Sequence, residues 1–208
     1  MKNIPLLLAV LGGTLACVVA IAFFFTKMAT APVDIKRVLG DQRYATGSGQ
    51  PKVTVVEFSD FQCPACKASQ PVVDKIRKSH ADTVRFVYRQ FPLINIHRNA
   101  EMAANAAEVM GSVGKFWSYH DLLFEKQEEW GPKTPDEAKK LFVQYGVGLG
   151  VPGELIQQAL EKGTFQQKVS QDVADANALG VSATPTFYIN DQQVAIEDLE
   201  STLANLLK

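Results

Sequence analysis

The chain predicts one layered α/β domain, interrupted by an all-helical insertion and preceded by one N-terminal transmembrane helix. Three observations predict it. Two short β-rich runs flank a helical segment, a long block of helical periodicity follows them, and 22 residues near the N-terminus, Ile4 to Phe25, carry no charge. With 208 residues and 47% apolar content there is room for one packed core plus an appendage. A formal net charge of -1 and a pI near 6.3 offer no basic patch for nucleic acid, so function does not follow from bulk charge.

Residues 1–3 form a short tail and 4–26 the apolar span, long enough to cross a bilayer. The segment is long for the apolar part of a cleaved signal. Its one A-x-A match, Ala29-Thr30-Ala31, is followed by Pro32, which disfavours cleavage and favours an uncut signal anchor. Cys17 reads as a small apolar filler inside that span, since Thr14-Leu15-Ala16 is a poor lead-in for a lipid-modified cysteine. Lys2 flanks one end, whereas Lys27, Lys36, Arg37 and Arg43 follow the other, so charge does not orient the helix. Cysteine usage points outward, because beyond the span only Cys63 and Cys66 occur and no spare thiol is open to accidental oxidation.

Residues 27–50, with Pro32, Gly40 and the run Thr46-Gly47-Ser48-Gly49-Gln50, read as a flexible linker, and the domain begins at Pro51 and extends to residue 208. Val53 to Phe58 is β-branched, apolar or aromatic and predicts a buried strand. Lys67 to Lys78, with Val72, Val73 and Ile76 at helical spacing, predicts a helix, and Thr83 to Arg89 a second strand closed by Phe91-Pro92. Between about residues 95 and 171 the pattern is helical: Arg98 to Met110, Phe116 to Lys126, the periodic set Ala138, Leu141, Phe142 and Tyr145, then Glu154 to Glu161 and Phe165 to Leu179. The aromatics Phe116, Trp117, Tyr119, Phe124 and Trp130 read as core of this insertion. Thr186 to Ile189, a turn at Asn190-Asp191, Gln193 to Ile196 and an amphipathic helix with Leu199, Leu203, Leu206 and Leu207 complete the domain.

The only close cysteine pair, Cys63-Pro64-Ala65-Cys66, falls where the first strand turns into a helix. A helix N-terminus has unpaired N–H groups and a partial positive charge, both of which favour a thiolate, so Cys63 is the candidate nucleophile. Lowering a thiol from about 8.5 to about 6.5 takes roughly 2.7 kcal/mol, more than the ~0.3–2 kcal/mol a helix end supplies. Direct hydrogen bonds must add the rest. Pro64 and Ala65 bring no side-chain donor, which leaves the N–H or thiol of Cys66, and predicts moderate acidification of Cys63 with Cys66 buried one turn in. A zinc site is disfavoured, since Cys17 is remote and His80, His97 and His120 lack paired-ligand spacing; no cofactor motif occurs.

The run Val-Glu-Phe-Ser-Asp-Phe-Gln-Cys-Pro-Ala-Cys-Lys at 56–67, the helical insertion and Gly180-Val-Ser-Ala-Thr-Pro-Thr-Phe-Tyr-Ile-Asn190 together resemble the DsbA-like thiol:disulfide oxidoreductases of the thioredoxin fold. The resemblance covers roughly Pro51 to the C-terminus. It implies a thioredoxin-like fold, in which Cys63 forms the mixed disulfide, Cys66 resolves it, and Pro185 is a cis-proline against the pair, preceded by Thr184. It also implies that Glu57 is a buried acid beneath Cys66 and accepts its proton; the residues themselves also allow an edge position facing solvent, with Arg85 or Arg89 as a partner. The implied function is a membrane-anchored oxidoreductase on the periplasmic or outer side. It would pass its disulfide to cysteines of exported, partly folded proteins and be reoxidised by a quinone-linked membrane partner. A reductase or isomerase on the same fold, and a redox-inactive peptide-binding chaperone, are the alternatives. Two departures, the absence of a histidine between the cysteines and Thr184 before Pro185, point to a milder oxidant.

Overall fold

The computed structural model describes residues 12–23 and 33–208. It divides into two compact units, Met1–Val33 and Asp34–Lys208. In the first, residues 12–23 are helical, with Leu15, Val18, Val19, Ile21 and Phe23 exposed. Among the described residues no helix is long and apolar enough to cross a membrane, and much of the expected span, 4–11 and 24–26, lies outside them.

The second unit begins with α1 (Ile35–Leu39), capped by the Asp34 side chain, and β1 (Ala45–Gly47). Residues 34–50, expected to belong to a flexible linker over 27–50, are thus part of the compact unit, while 27–32 lie outside the described residues. Glycine content suggested flexibility, but Val38 is wholly buried, and the Tyr44 ring stacks on Phe116 with centroids 3.6 Å apart. Gly40 has a quite different function: at φ 56 it lets the Arg89 guanidinium pass where a Cβ would collide.

The central strands β2 (Val53–Ser59) and β3 (Val84–Gln90) run parallel, in register from Val53 with Val84 to Ser59 with Gln90. Between them α2 (Pro64–Ser79) crosses over, packing Val73 and Ile76 on Val53, Val55 and Phe86; each such side chain contributes about 1.5–3 kcal/mol. After the insertion, β4 (Thr186–Ile189) returns antiparallel to β2 and β5 (Gln192–Val194) extends it, giving the order β1-β3-β2-β4-β5. The terminal helix α9 (Leu199–Leu206) buries Leu199 and Leu203, but Leu206, expected on the same apolar side, is 50% exposed.

The insertion comprises α3 (Ala100–Ser112), α4 (Phe116–Glu125), α5 (Gln127–Trp130), α6 (Pro135–Gly148) and α7 (Gly153–Glu161), followed by α8 (Gln166–Ala178). Alanines let α3 approach its neighbours closely, and a Thr134–Glu137 capping box starts α6. Phe116, Tyr119, Phe124 and Trp130 are buried here, as expected, and Trp117 packs against the same core.

Buried charges tie the layers together. Arg89, 1% exposed, bonds Asp172 at 2.7 Å and Asp175 at 2.8 Å on α8, and its Nη1 donates to the Arg37 and Val38 carbonyls. Arg43 pairs with Glu108 at 3.0 Å and Asp172 at 2.7 Å, while the Tyr44 hydroxyl donates to Glu108 at 2.6 Å. Arg89 is thus committed to α8, and Arg85 bonds Gln42 and the Ser48 and Gly49 carbonyls. Neither arginine pairs with Glu57.

Candidate active site

Cys63 is the N-cap of α2 and Pro64 its first residue, where a missing N–H costs nothing. The turn leading to Cys63 is held from three sides. The Asp60 carboxylate accepts from Gln62 N at 2.7 Å and Leu93 N at 2.9 Å and lies 2.7 Å from His97 Nδ1, joining this turn to the loop after β3. Gln62 donates to the Gly131 carbonyl and accepts from Asn99 N. From α5, Gln127 Nε2 donates to the Phe61 carbonyl at 2.8 Å and the Cys63 carbonyl at 2.9 Å. These polar clamps were not identified from sequence, because the partners lie dozens of residues apart and short polar side chains in turns are too common to single out. Asp60 three residues before the first cysteine was the one local signal.

Both cysteines are free thiols. Cys63 is 6% exposed and Cys66 0%, so both sulfurs are buried and Cys63 is the more accessible of the two. Cys63 Sγ sits 3.4 Å from the Thr184 carbonyl, and the Thr184–Pro185 bond is cis, which brings Thr184 and Pro185 beside the dithiol. The Cys63 thiol is lowered to about 5, first by the hydrogen bond from the Cys66 thiol, against the cost of burial, and then by the Thr184 side chain and the N–H groups of Cys66 and Ala65. This is a larger shift than the sequence predicted. The Cys66 contribution was foreseen, whereas Thr184 and the Ala65 N–H were not.

Burial pushes the Cys66 thiol up, as do the hydrogen bond it gives Cys63 and the nearby charge of Glu57. Glu57 is wholly buried, which removes the solvent-facing alternative, and burial raises it to about 8 against the opposing influences of Ser59 and the Arg77 charge. The site therefore joins a thiolate-favouring sulfur at the surface, a thiol-favouring sulfur behind it, and an acid that can hold or release a proton near neutrality. Among the described residues no group of three or more His, Cys, Asp and Glu side chains converges as a metal site.

The fold and the dithiol define a protein of the DsbA-like thiol-disulfide oxidoreductase type within the thioredoxin fold. The chain belongs to the thioredoxin family, whose profile matches residues 40–208. Its structure is similar to oxidised BdbD from Bacillus subtilis, with a TM-score of 0.71 and 26% identity over 86% of this chain and 97% of that one. It is likewise similar to a thioredoxin-like oxidoreductase from Silicibacter pomeroyi, with a TM-score of 0.66 and 25% identity over 82% and 95% of the two chains. By sequence it is 34% identical over 153 residues to the Na(+)/H(+) antiporter NhaA 3 of Salinispora tropica; the match covers 74% of this chain but 22% of that relative.

Proposed function

We propose that this protein is a membrane-anchored thiol:disulfide oxidoreductase that donates its Cys63–Cys66 disulfide to cysteines of exported, partly folded proteins. The observation that carries the reading is the division of labour between the sulfurs: Cys63 is favoured as thiolate and Cys66 as thiol, beside cis-Pro185. A substrate thiolate attacks Cys63 Sγ and the Cys63–Cys66 bond breaks with its electron pair on Cys66. A second substrate thiolate then attacks the substrate sulfur of the mixed disulfide and expels Cys63 as thiolate. The substrate loses two electrons and the dithiol gains them, to be withdrawn by a quinone-linked membrane partner. Stabilising the Cys63 thiolate stabilises the reduced form and makes the disulfide a stronger oxidant, which supports oxidation as the working direction over reduction or isomerisation.

Titrating the full chain in detergent against glutathione buffers tests the direction. A reduction potential well above about -270 mV is expected; a value near or below about -270 mV fits a reductase, and failure to cycle between disulfide and dithiol fits a binding module. Residues 4–26 supply the anchor in this reading, with the catalytic domain on the periplasmic or outer side. Protease added outside the inner membrane should then digest the domain, and resistance until that membrane is dissolved would place it inside.

A further inference from the structure

The helical insertion reaches the reactive cysteine itself. Cys63, the N-cap of α2, is extended at φ -73 and ψ 123, and its carbonyl opens the helix by accepting from Lys67 N at 3.1 Å. Residue 64 is proline and has no N–H, so that carbonyl is the one polar group by which the Cys63–Pro64 peptide plane can be held. Gln127, the first residue of α5, holds it. Its Nε2 donates to the Cys63 carbonyl at 2.9 Å and to the Phe61 carbonyl at 2.8 Å, so one side-chain amide, with two N–H bonds to give, serves two carbonyls of the turn. Gln127 is buried, and among the described residues no other side chain hydrogen-bonds the Cys63 backbone. Seating α5 does not need these bonds. Gln62 Nε2 donates to the Gly131 carbonyl at 2.9 Å, Lys67 pairs with Glu128 at 2.7 Å, and the wholly buried Trp130 donates to the Leu123 carbonyl at 2.8 Å and meets the Phe142 ring at 5.1 Å. On that rigid mount the amide is aimed at the residue whose backbone angle decides where the sulfur stands. Rotation about the Cα–C bond of Cys63 turns its side chain relative to the peptide plane that starts the helix, so a plane pinned by Lys67 N and Gln127 Nε2 holds Sγ against the unpaired N–H groups of the first turn.

We propose that Gln127 is a positioning residue for disulfide exchange: by holding the Cys63 and Phe61 carbonyls it keeps Cys63 Sγ aligned with the unpaired N–H groups of α2, and so sets how strong an oxidant the disulfide is. The inference rests on the exchange reading given above. Gln127 bonds backbone oxygens and no sulfur, and those oxygens keep their charge when the cysteines change redox state. Its two bonds therefore hold in disulfide and dithiol alike. What they bear on is the Cys63 thiolate, which exists only in the reduced form and which leaves in the last step of exchange. The other neighbours of the sulfur, Cys66 and the Thr184 carbonyl at 3.4 Å, belong to α2 and the cis-proline loop and stay in place when Gln127 is changed.

The test is Gln127→Met, which keeps the length of the side chain and removes both donors, in the full chain in detergent. The readings are the midpoint of Cys63 thiolate absorbance and the equilibrium of the dithiol with glutathione buffers at about pH 7. Losing alignment with one charge-assisted donor is worth about a factor of ten, so the midpoint should rise by about one pH step and the disulfide should become about 10-fold harder to reduce, or about 30 mV. Gln127→Asn, one methylene shorter and able to serve at most one carbonyl, should move both readings the same way by less. A purely structural tie would weaken disulfide and dithiol equally against urea and leave midpoint and equilibrium where they were, and that result overturns the proposal. Where a variant fails to fold, nuclear magnetic resonance of the unmodified protein decides: the side-chain amide protons of Gln127 should titrate with the Cys63 midpoint, and signals indifferent to it also overturn the proposal. If the unmodified protein does not equilibrate with glutathione at all, the exchange reading itself falls, and the absorbance midpoint still tests Gln127; if it equilibrates and only the Gln127 readings fail, the exchange reading stands without this role.

Discussion

Replacing Glu57 with Gln should stabilise the reduced protein at alkaline pH and change it little at acid pH. The carboxyl is wholly buried and its oxygens have no hydrogen-bond partner. Its ordinary value of 4.5 is raised to about 8, chiefly by burial. A group raised on folding contributes most below its unfolded value, and that contribution is lost as pH climbs through the folded value. Stability should thus decline from about 4.5 to about 8 and level off beyond. At about 1.4 kcal/mol per pH step, the interval sets a ceiling of roughly 5 kcal/mol on what the carboxylate costs above pH 8. The glutamine amide and the neutral carboxyl are both unsatisfied when buried, so their penalties of about 1–3 kcal/mol cancel at acid pH, and at alkaline pH the variant should be more stable than the parent by up to about 5 kcal/mol. Urea unfolding of both reduced proteins at several pH values gives the difference directly, with other titrating groups cancelling. A difference that does not vary with pH would refute the reasoning, because it would mean that Glu57 is ionised throughout or already neutralised by a partner.

The remaining predictions concern the sulfurs and the charge network. Thiolate absorbance of the reduced protein should titrate with a midpoint near 5 for Cys63, and limiting alkylating agent near neutral pH should label Cys63 before Cys66; preferential labelling of Cys66 would reverse their roles. Because Cys63 is depressed below its ordinary 9.0, its stabilisation of the reduced fold is full above that value and disappears as pH falls through about 5. Reduced Cys66→Ala mixed with substrates that carry a disulfide should accumulate mixed disulfides, seen on non-reducing gels, since Cys63 still attacks but no Cys66 thiol remains to expel the substrate. Arg89→Met should cost about 3–5 kcal/mol in unfolding free energy, because Asp172 and Asp175 lose their buried partner. A loss below about 1 kcal/mol would show that Arg43 and Arg37 suffice to neutralise them.

Local pattern alone determined much of this protein. β-branched runs at 53–58 and 83–89, helical periodicity between them and the strand-to-helix position of Cys63 are short-range signals, and each became the expected element within a residue or two, save that α2 starts at Pro64. The Cys66 contribution to Cys63 was legible for the same reason, since both groups belong to one helical turn. Only tertiary structure decided the rest. Residues 34–50 look like a glycine-rich leader, yet they become ordered because Val38, Tyr44 and Arg43 find partners on β3, α3, α4 and α8 far along the chain. Glu57 could have faced solvent or an arginine. Its burial was settled by α2 and the insertion closing over that face of the sheet, while α8 claimed Arg89. Burial and charge pairing are sums over neighbours that sequence separation hides, and they set the proton affinities of this site.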